Sequence, residues 1–190
     1  MLPVYVMIGG SSRRFGREKA IEPVDGQPWA MHVGTRLASE GSPIVLVGGR
    51  KRTVEAARWV SDEPSLEGPL GGLRAALNDR MRQYGPGLLV FASCDLVRPR
   101  AEWLTPLVEA HRDTQHPVSV AAYRTAGRWQ PFPSVLHTRL AALLKARDAA
   151  FCSLQEVFDG ADNIEHTWPT ESGPPQANTQ DELRRLLART

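Results

Sequence analysis

A short apolar run, Val4 to Ile8, breaks off directly at the pair Gly9-Gly10. A β-rich run without polar alternation reads as a strand covered on both faces, the kind found in parallel sheets packed between helices. Two glycines at its end let the backbone turn tightly and bring its N–H groups close to phosphate oxygens. Behind this junction, Trp29, Val33 and Leu37 recur at a four-residue spacing that predicts a helix over 29–40, ended by Gly41. Strand, loop and helix form the first unit of an α/β chain.

The alternation continues along the sequence. Ile44 to Val47 predicts a second strand, 53–59 a helix, and Val60-Ser61 a brief segment after it. Leu70, Leu73, Leu77, Met81 and Tyr84 mark one stripe of a helix that opens after Gly68-Pro69, proline being well placed in a first turn. Leu88 to Ala92 is the strongest strand, a continuous apolar run suited to the sheet centre, and it delivers Cys94-Asp95 at its carboxyl end. A helix over 102–112, a strand over 118–123 and an apolar segment at Val135-Leu136 follow. Pro131 and Pro133 predict irregular or edge structure there. Ser153-x-x-Glu156 and Thr179-x-x-Glu182 match the capping box and predict two small helices, with 169–175 an exposed loop between them. The whole implies an α/β fold in three layers with a mostly parallel central sheet, whose ligands bind beyond the carboxyl ends of the strands.

Composition narrows the partners. A chain of 190 residues, 42% hydrophobic, supports one domain over 1–190. Its 23 basic and 21 acidic residues gather into no long block, which argues against nucleic acid and membrane surfaces and for a small-molecule partner. Cys94 and Cys152 have no metal-ligand spacing and the five histidines no HxxxH pattern, so no zinc site or disulfide framework is expected and a reducing cytoplasm fits. The apolar N-terminus lacks a basic leader region and is too short to span a bilayer.

The loop after the first strand carries the chemistry. Arg13, Arg14 and Lys19 add positive charge beside the glycines, and a triphosphate brings about four negative charges that need such cations. The pattern is neither a Walker loop nor the GxGxxG of dinucleotide folds. Gly9-Gly10-x-Ser12-x-Arg14-x-Gly16-x-Glu18-Lys19-Ala20 instead resembles the LAGGxSxRMGxDKA loop of molybdenum cofactor guanylyltransferases, the MobA type. Ser61-Asp62-Glu63 followed by Gly68-Pro69-Leu70-Gly71-Gly72-Leu73 resembles that family's acidic residue and GPLAGL segment, and Ser93-Cys94-Asp95-Leu96 its CD motif. Gln130-Pro131 and Asn178-Thr179-Gln180-Asp181-Glu182-Leu183 resemble its QP and NTPEEL elements. The departures are Met7-Ile8 for Leu-Ala, Phe15 for Met, Glu18 for Asp, and Val47-Gly48-Gly49-Arg50 where the family often has an asparagine beside the guanine nucleotide.

The resemblance implies a Rossmann-like nucleotidyltransferase fold and a Mg²⁺-dependent reaction in which the terminal phosphate of molybdopterin (Mo-molybdopterin) attacks the α-phosphorus of GTP and pyrophosphate leaves. It implies nucleotide contacts from Ile8, Gly9, Gly10, Ser11, Lys19, Asp62, Gly68 and Asp95, with Lys19, Arg14 and Asp95 catalytic. Asp95, a lone aspartate at a strand end, suits a hard cation that keeps its waters and phosphate oxygens, and is the expected metal ligand. Alone, it also reads as a helix-capping loop aspartate. No covalent nucleophile is needed, so Cys94 is read as packing. Asp62 offers carboxylate acceptors for ribose or base, and also reads as an exposed turn residue. Gln130, Asn178 and Thr179 map to the pterin side, although Thr179 equally caps a helix. Cofactor-biosynthesis proteins and molybdoenzyme chaperones are the partners this implies. The alternatives are the cytidylyl-transferring relative, which usually reads Ala-Gly where this chain has Gly9-Gly10, and a non-catalytic nucleotide-binding paralogue. A sugar-1-phosphate enzyme needs a longer chain.

Overall fold

The computed structural model describes residues 1–9, 15–16, 18–49, 57–62, 68–112, 118–146 and 153–188. In chain order these form β1 (Val4–Met7), β2 (Pro23–Val24), β3 (Gln27–Pro28), α1 (Trp29–Leu37), β4 (Ile44–Val47), β5 (Arg58–Val60), α2 (Pro69–Tyr84) and β6 (Leu88–Ser93). Then come α3 (Thr105–Ala110), β7 (Val120–Thr125), β8 (Arg128–His137), α4 (Leu140–Ala146), α5 (Leu154–Asp159), β9 (Asn163–Thr167) and α6 (Gln180–Ala188). Two 3₁₀ turns, Lys19–Ile21 and Ala101–Leu104, lie between them.

Seven strands make one sheet in the order β5-β4-β1-β6-β8-β7-β9, and among the described residues β8 alone runs against the others. Side chains of successive strand residues point to opposite faces, and both faces are covered. Val4, Val6, Val90 and Ala92 pack with Trp29, Val33, Leu107 and Leu183, so α1, α3 and α6 cover one face. Tyr5, Val45, Leu89 and Phe91 pack with Leu73, Leu77, Leu140 and Phe158, so α2, α4 and α5 cover the other. This is the expected three-layer α/β/α fold, and the double coverage explains why β1, β4 and β6 read as unbroken apolar runs. No described helix is long and apolar enough to cross a membrane.

Several sequence expectations change. Arg58 and Trp59, expected in a helix, form strand β5 beside β4, and the Trp59 indole donates to the Gly48 carbonyl at 3.0 Å; 50–56 lie outside the described residues. The helix expected to reach residue 40 stops at Leu37, with Ala38 already extended. In α2, Leu70, Leu73 and Leu77 are buried, but Met81 and Tyr84 are exposed. The buried stripe drifts instead to Asp79 and Arg80, whose polarity hides them from an apolar periodicity. Pro131 and Pro133 lie in an interior strand rather than an edge. Their irregularity is real: β8 meets β7 in two registers, Ala122 opposite Ser134 but Tyr123 opposite Gln130, and the intervening residues bulge out of the ladder, where a missing N–H costs nothing. Strand β9, with its polar sequence, gave no apolar signal. Both capping helices form, Glu156 N–H donating to Ser153 Oγ at 3.3 Å and Glu182 N–H to Thr179 Oγ1 at 3.2 Å.

Candidate active site

The chain leaves β1, crosses to β4 and β5 on one side, and returns to β6 on the other, so the connections diverge between β1 and β6. Open α/β sheets bind ligands at the carboxyl ends of strands at such a point. The ladder continues one step past the strands, Ile8 N–H donating to Val47 O at 2.9 Å and Cys94 N–H to Met7 O at 3.0 Å. These bonds fix Gly9 and Asp95 side by side over a cleft of about 520 Å³.

Of the residues singled out in the sequence, Ile8, Gly9, Lys19, Asp62, Gly68, Asp95 and Asn178 all line this cleft. Gln130 and Thr179 do not: the Gln130 amide lies against Gly173, and the Thr179 hydroxyl caps α6. Gly10, Ser11 and Arg14 lie outside the described residues. The wall opposite Asp95 is made by close approach. A Cβ on Gly48, whose φ is +75°, would stand 3.3 Å from Asp62 Oδ2, and one on Gly9 would stand 3.3 Å from the Gly49 nitrogen. The Asp62 carboxylate is thus seated against two glycines that leave it room. The first turn of α2 borders the cleft through Gly68, Pro69 and Gly72, and a helix N-terminus presents partial positive charge to an anion.

Asp95 is held in an unfavourable setting for a charge. Its Oδ1 is enclosed and has no hydrogen-bond partner among the described residues. Burial pushes its carboxyl above the usual aspartate range, against the opposing pull of the Ser93 hydroxyl and the Lys19 ammonium. An unpaired buried carboxylate oxygen beside a cleft is a ready ligand for a hard cation, so the donor set fits one divalent ion completed by a substrate's phosphates and water. Among the described residues no cluster of three or more acidic, histidine or cysteine side chains could hold a metal by itself. The neighbouring Cys94 is buried, which raises its thiol to about 12 and keeps it a neutral packing group.

Lys19 approaches from the 3₁₀ turn behind the glycine-rich loop. Its Nζ donates to Ala177 O at 3.1 Å and Asn178 Oδ1 at 2.9 Å, and sits 5.7 Å from the centroid of the Phe15 ring. Beneath it the Trp29 indole donates to Leu96 O at 2.8 Å, joining α1 to the loop that carries Asp95. A cation, a carboxylate, a helix N-terminus and a strand-end glycine around one cleft suit the binding of a triphosphate and the stabilisation of charge on a departing phosphate.

Residues 4–161 match the sequence model of the MobA-like NTP transferase domain. The chain belongs to this family. Among its MobA-like relatives, the molybdenum cofactor guanylyltransferase of Burkholderia vietnamiensis is 34% identical over 154 residues, covering 75% of this chain and 73% of that one. That of Pseudomonas entomophila is 29% identical over 167 residues, covering 83% and 82%. The molybdopterin-guanine dinucleotide biosynthesis protein A of Archaeoglobus fulgidus superposes with a TM-score of 0.74 over 97% of this chain and 96% of its own, at 18% identity, which establishes the shared fold. Phe132 lines the MobA-like cleft without having been singled out beforehand, whereas Ser93 lines it as the first residue of the Ser93-Cys94-Asp95-Leu96 segment. Phe132 had no local signal, because the bulge that turns it to the cleft depends on strand β8 lying beside β6.

Proposed function

We propose that this protein transfers GMP from GTP to the terminal phosphate of molybdopterin (Mo-molybdopterin) and releases pyrophosphate, giving the guanine dinucleotide form of the cofactor. The observation that carries this reading is the Asp95 Oδ1, buried without a hydrogen-bond partner among the described residues, in the same cleft as Lys19, at the β1/β6 divergence of a MobA-like fold. Gly9, Gly10 and Ser11 wrap the phosphates with backbone N–H groups, Ile8 and Gly68 bound the nucleoside, and Asp62 accepts hydrogen bonds from ribose or base. Lys19 and Arg14 neutralise the charge that grows on the leaving pyrophosphate. An oxygen of the acceptor phosphate forms the new bond to the α-phosphorus while the bond to the β-phosphate's bridging oxygen breaks, its electron pair leaving with pyrophosphate. The acceptor brings its own nucleophile, so the protein's task is alignment.

Nucleotidyltransferases of this family generally use a divalent metal, and Asp95 is the residue that would hold Mg²⁺ here. When bound, that ion supplies Lewis-acid stabilisation of phosphate oxygens. Gln130, Asn178 and Thr179 stand on the acceptor side in this reading, and the enzyme works in the cytoplasm, handing its product to other cofactor proteins and molybdoenzyme chaperones. Calorimetric titration with GTP, CTP and ATP, with and without Mg²⁺, followed by pyrophosphate assay with molybdopterin, tests it. Selective GTP binding and pyrophosphate release are expected. Preference for CTP would assign the chain to cytidylyl transfer, and binding without turnover would make it a non-catalytic paralogue.

A further inference from the structure

Lys19 and Asp95 carry opposite charges in one cleft, yet they form no ion pair, and among the described residues Asp95 Oδ1 keeps no partner. A lysine on a flexible four-carbon stem beside a poorly solvated carboxylate has every electrostatic reason to collapse onto it. What keeps Lys19 elsewhere is visible. Two of the three N–H donors of its ammonium go to neutral oxygens, Ala177 O and Asn178 Oδ1. Neutral acceptors hold the cation without cancelling its charge.

The segment that supplies these oxygens is itself bolted to the loop of Asp95. Val97 N–H donates to Pro175 O at 2.8 Å, Ala177 N–H donates to Asp95 O at 3.0 Å, and Leu96 bridges Gln176. Asn178 and Thr179 are fixed in turn by the Glu182 carboxylate, which accepts from their N–H groups at 2.6 and 3.1 Å. Gln180 Nε2 donates to Phe15 O at 3.1 Å, tying the same segment to the residues just before Lys19. One short stretch therefore sets the position of both charged groups.

We infer that Asn178 is a positioning residue for Lys19: its side-chain oxygen holds the ammonium off Asp95, keeping the full positive charge for the triphosphate and the carboxylate uncommitted. This rests on the nucleotidyltransferase reading and moves the action of Asn178 from the acceptor to the nucleotide end of the cleft. Asn178→Ala frees Lys19 to pair with Asp95, so the affinity for GTP with Mg²⁺ falls about tenfold while the KM for molybdopterin stays. Asn178→Asp, nearly isosteric, weakens GTP binding by a different route, because its carboxylate cancels the lysine's charge. Both effects vanish in a Lys19→Ala background, where there is no cation to place.

The experiment is calorimetry of GTP with Mg²⁺ on the wild type, the two Asn178 variants, Lys19→Ala and the two double variants, with melting temperatures to confirm folding and acceptor KM from pyrophosphate release. A loss of GTP affinity that disappears without Lys19 supports the inference. Unaltered GTP affinity in both Asn178 variants, an effect that persists in full without Lys19, or a change confined to the acceptor KM overturns it alone. A wild type that binds no nucleotide overturns the functional reading beneath it.

Discussion

In the proposed function, Asp95 is a side chain prepared for its role at the expense of stability. Its carboxylate lies just past the end of β6 with Oδ1 enclosed and without a hydrogen-bond partner among the described residues, and burial raises its pKa. Burying a carboxylate with one oxygen unpaired forfeits part of its solvation, a cost that the proposed role as a cation ligand accounts for. Asp95→Asn removes that charge with little change of shape. Transfer activity is expected to fall by about 10³ or more, while the ligand-free protein gains on the order of 1 kcal/mol. Pyrophosphate release and thermal unfolding of the same preparation check the two halves, and an active Asp95→Asn variant would refute the assignment of Asp95 as the metal ligand. The sequence signalled this residue twice, by the strongest apolar run in the chain and by the Cys94-Asp95 pair at its end. It could not signal that Oδ1 is enclosed, which depends on packing between segments far apart in the chain.

At the scale of elements, the sheet positions the cleft only because the helices pack closely on it. Gly34 is a point of close approach between α1 and β4: a Cβ there would stand 2.6 Å from Ile44 Cγ2. Ile44 is branched at Cβ and rotates little, so the helix itself would have to move. Gly34→Val is therefore expected to destabilise by about 3 kcal/mol, read as a lower urea midpoint with an unchanged slope. Because the Trp29 indole bonds the carbonyl of Leu96, next to Asp95, a displaced α1 also weakens GTP binding. The periodicity of Trp29, Val33 and Leu37 announced α1, and all three are buried. The same method placed Trp59 in a helix, because an edge strand of three residues is too short for a period of two to stand out against other spacings.

Across the whole molecule, one buried polar network links the interior strand β1 to the sheet's edge. Tyr5 on β1 donates to Asp79 Oδ2 on α2 at 2.8 Å, and Arg58 on β5 forms a bidentate pair with the same carboxylate. Burial alone would raise the Asp79 pKa, but hydrogen bonds from Arg58 and Tyr5 outweigh it and hold the carboxyl below its usual range. A carboxyl whose folded pKa is depressed contributes stability above the unfolded value of about 3.9 and loses it as pH falls through the folded value. Asp79→Asn is thus expected to cost about 2 kcal/mol at neutral pH, where it breaks the pair with Arg58. The gap from the wild type should begin to narrow below about pH 4 and close as pH falls through the lower folded value. Urea unfolding at neutral pH and about one unit below that threshold measures both, and an equal gap at the two values would show that the ionised carboxylate is not what stabilises. Arg58 is partly exposed, so solvent weakens its share.

The sequence by itself determined what local chemistry can encode. Apolar runs marked β1, β4 and β6 because both faces of those strands are covered, glycines marked where β1 and β4 end, and Ser153 and Thr179 marked two helix starts because a cap needs only residues three positions apart. Tertiary structure decided the rest. Strand β8 runs inside the sheet despite two prolines because its bulge places them where no ladder bond is required. Asp79 and Arg80 are buried because partners arrive from β5 and from the start of β6, as when Arg80 Nε donates to Leu88 O. Lys19 meets Ala177 across 158 positions of chain, a separation at which no periodicity survives and only the order of the strands brings the two groups together.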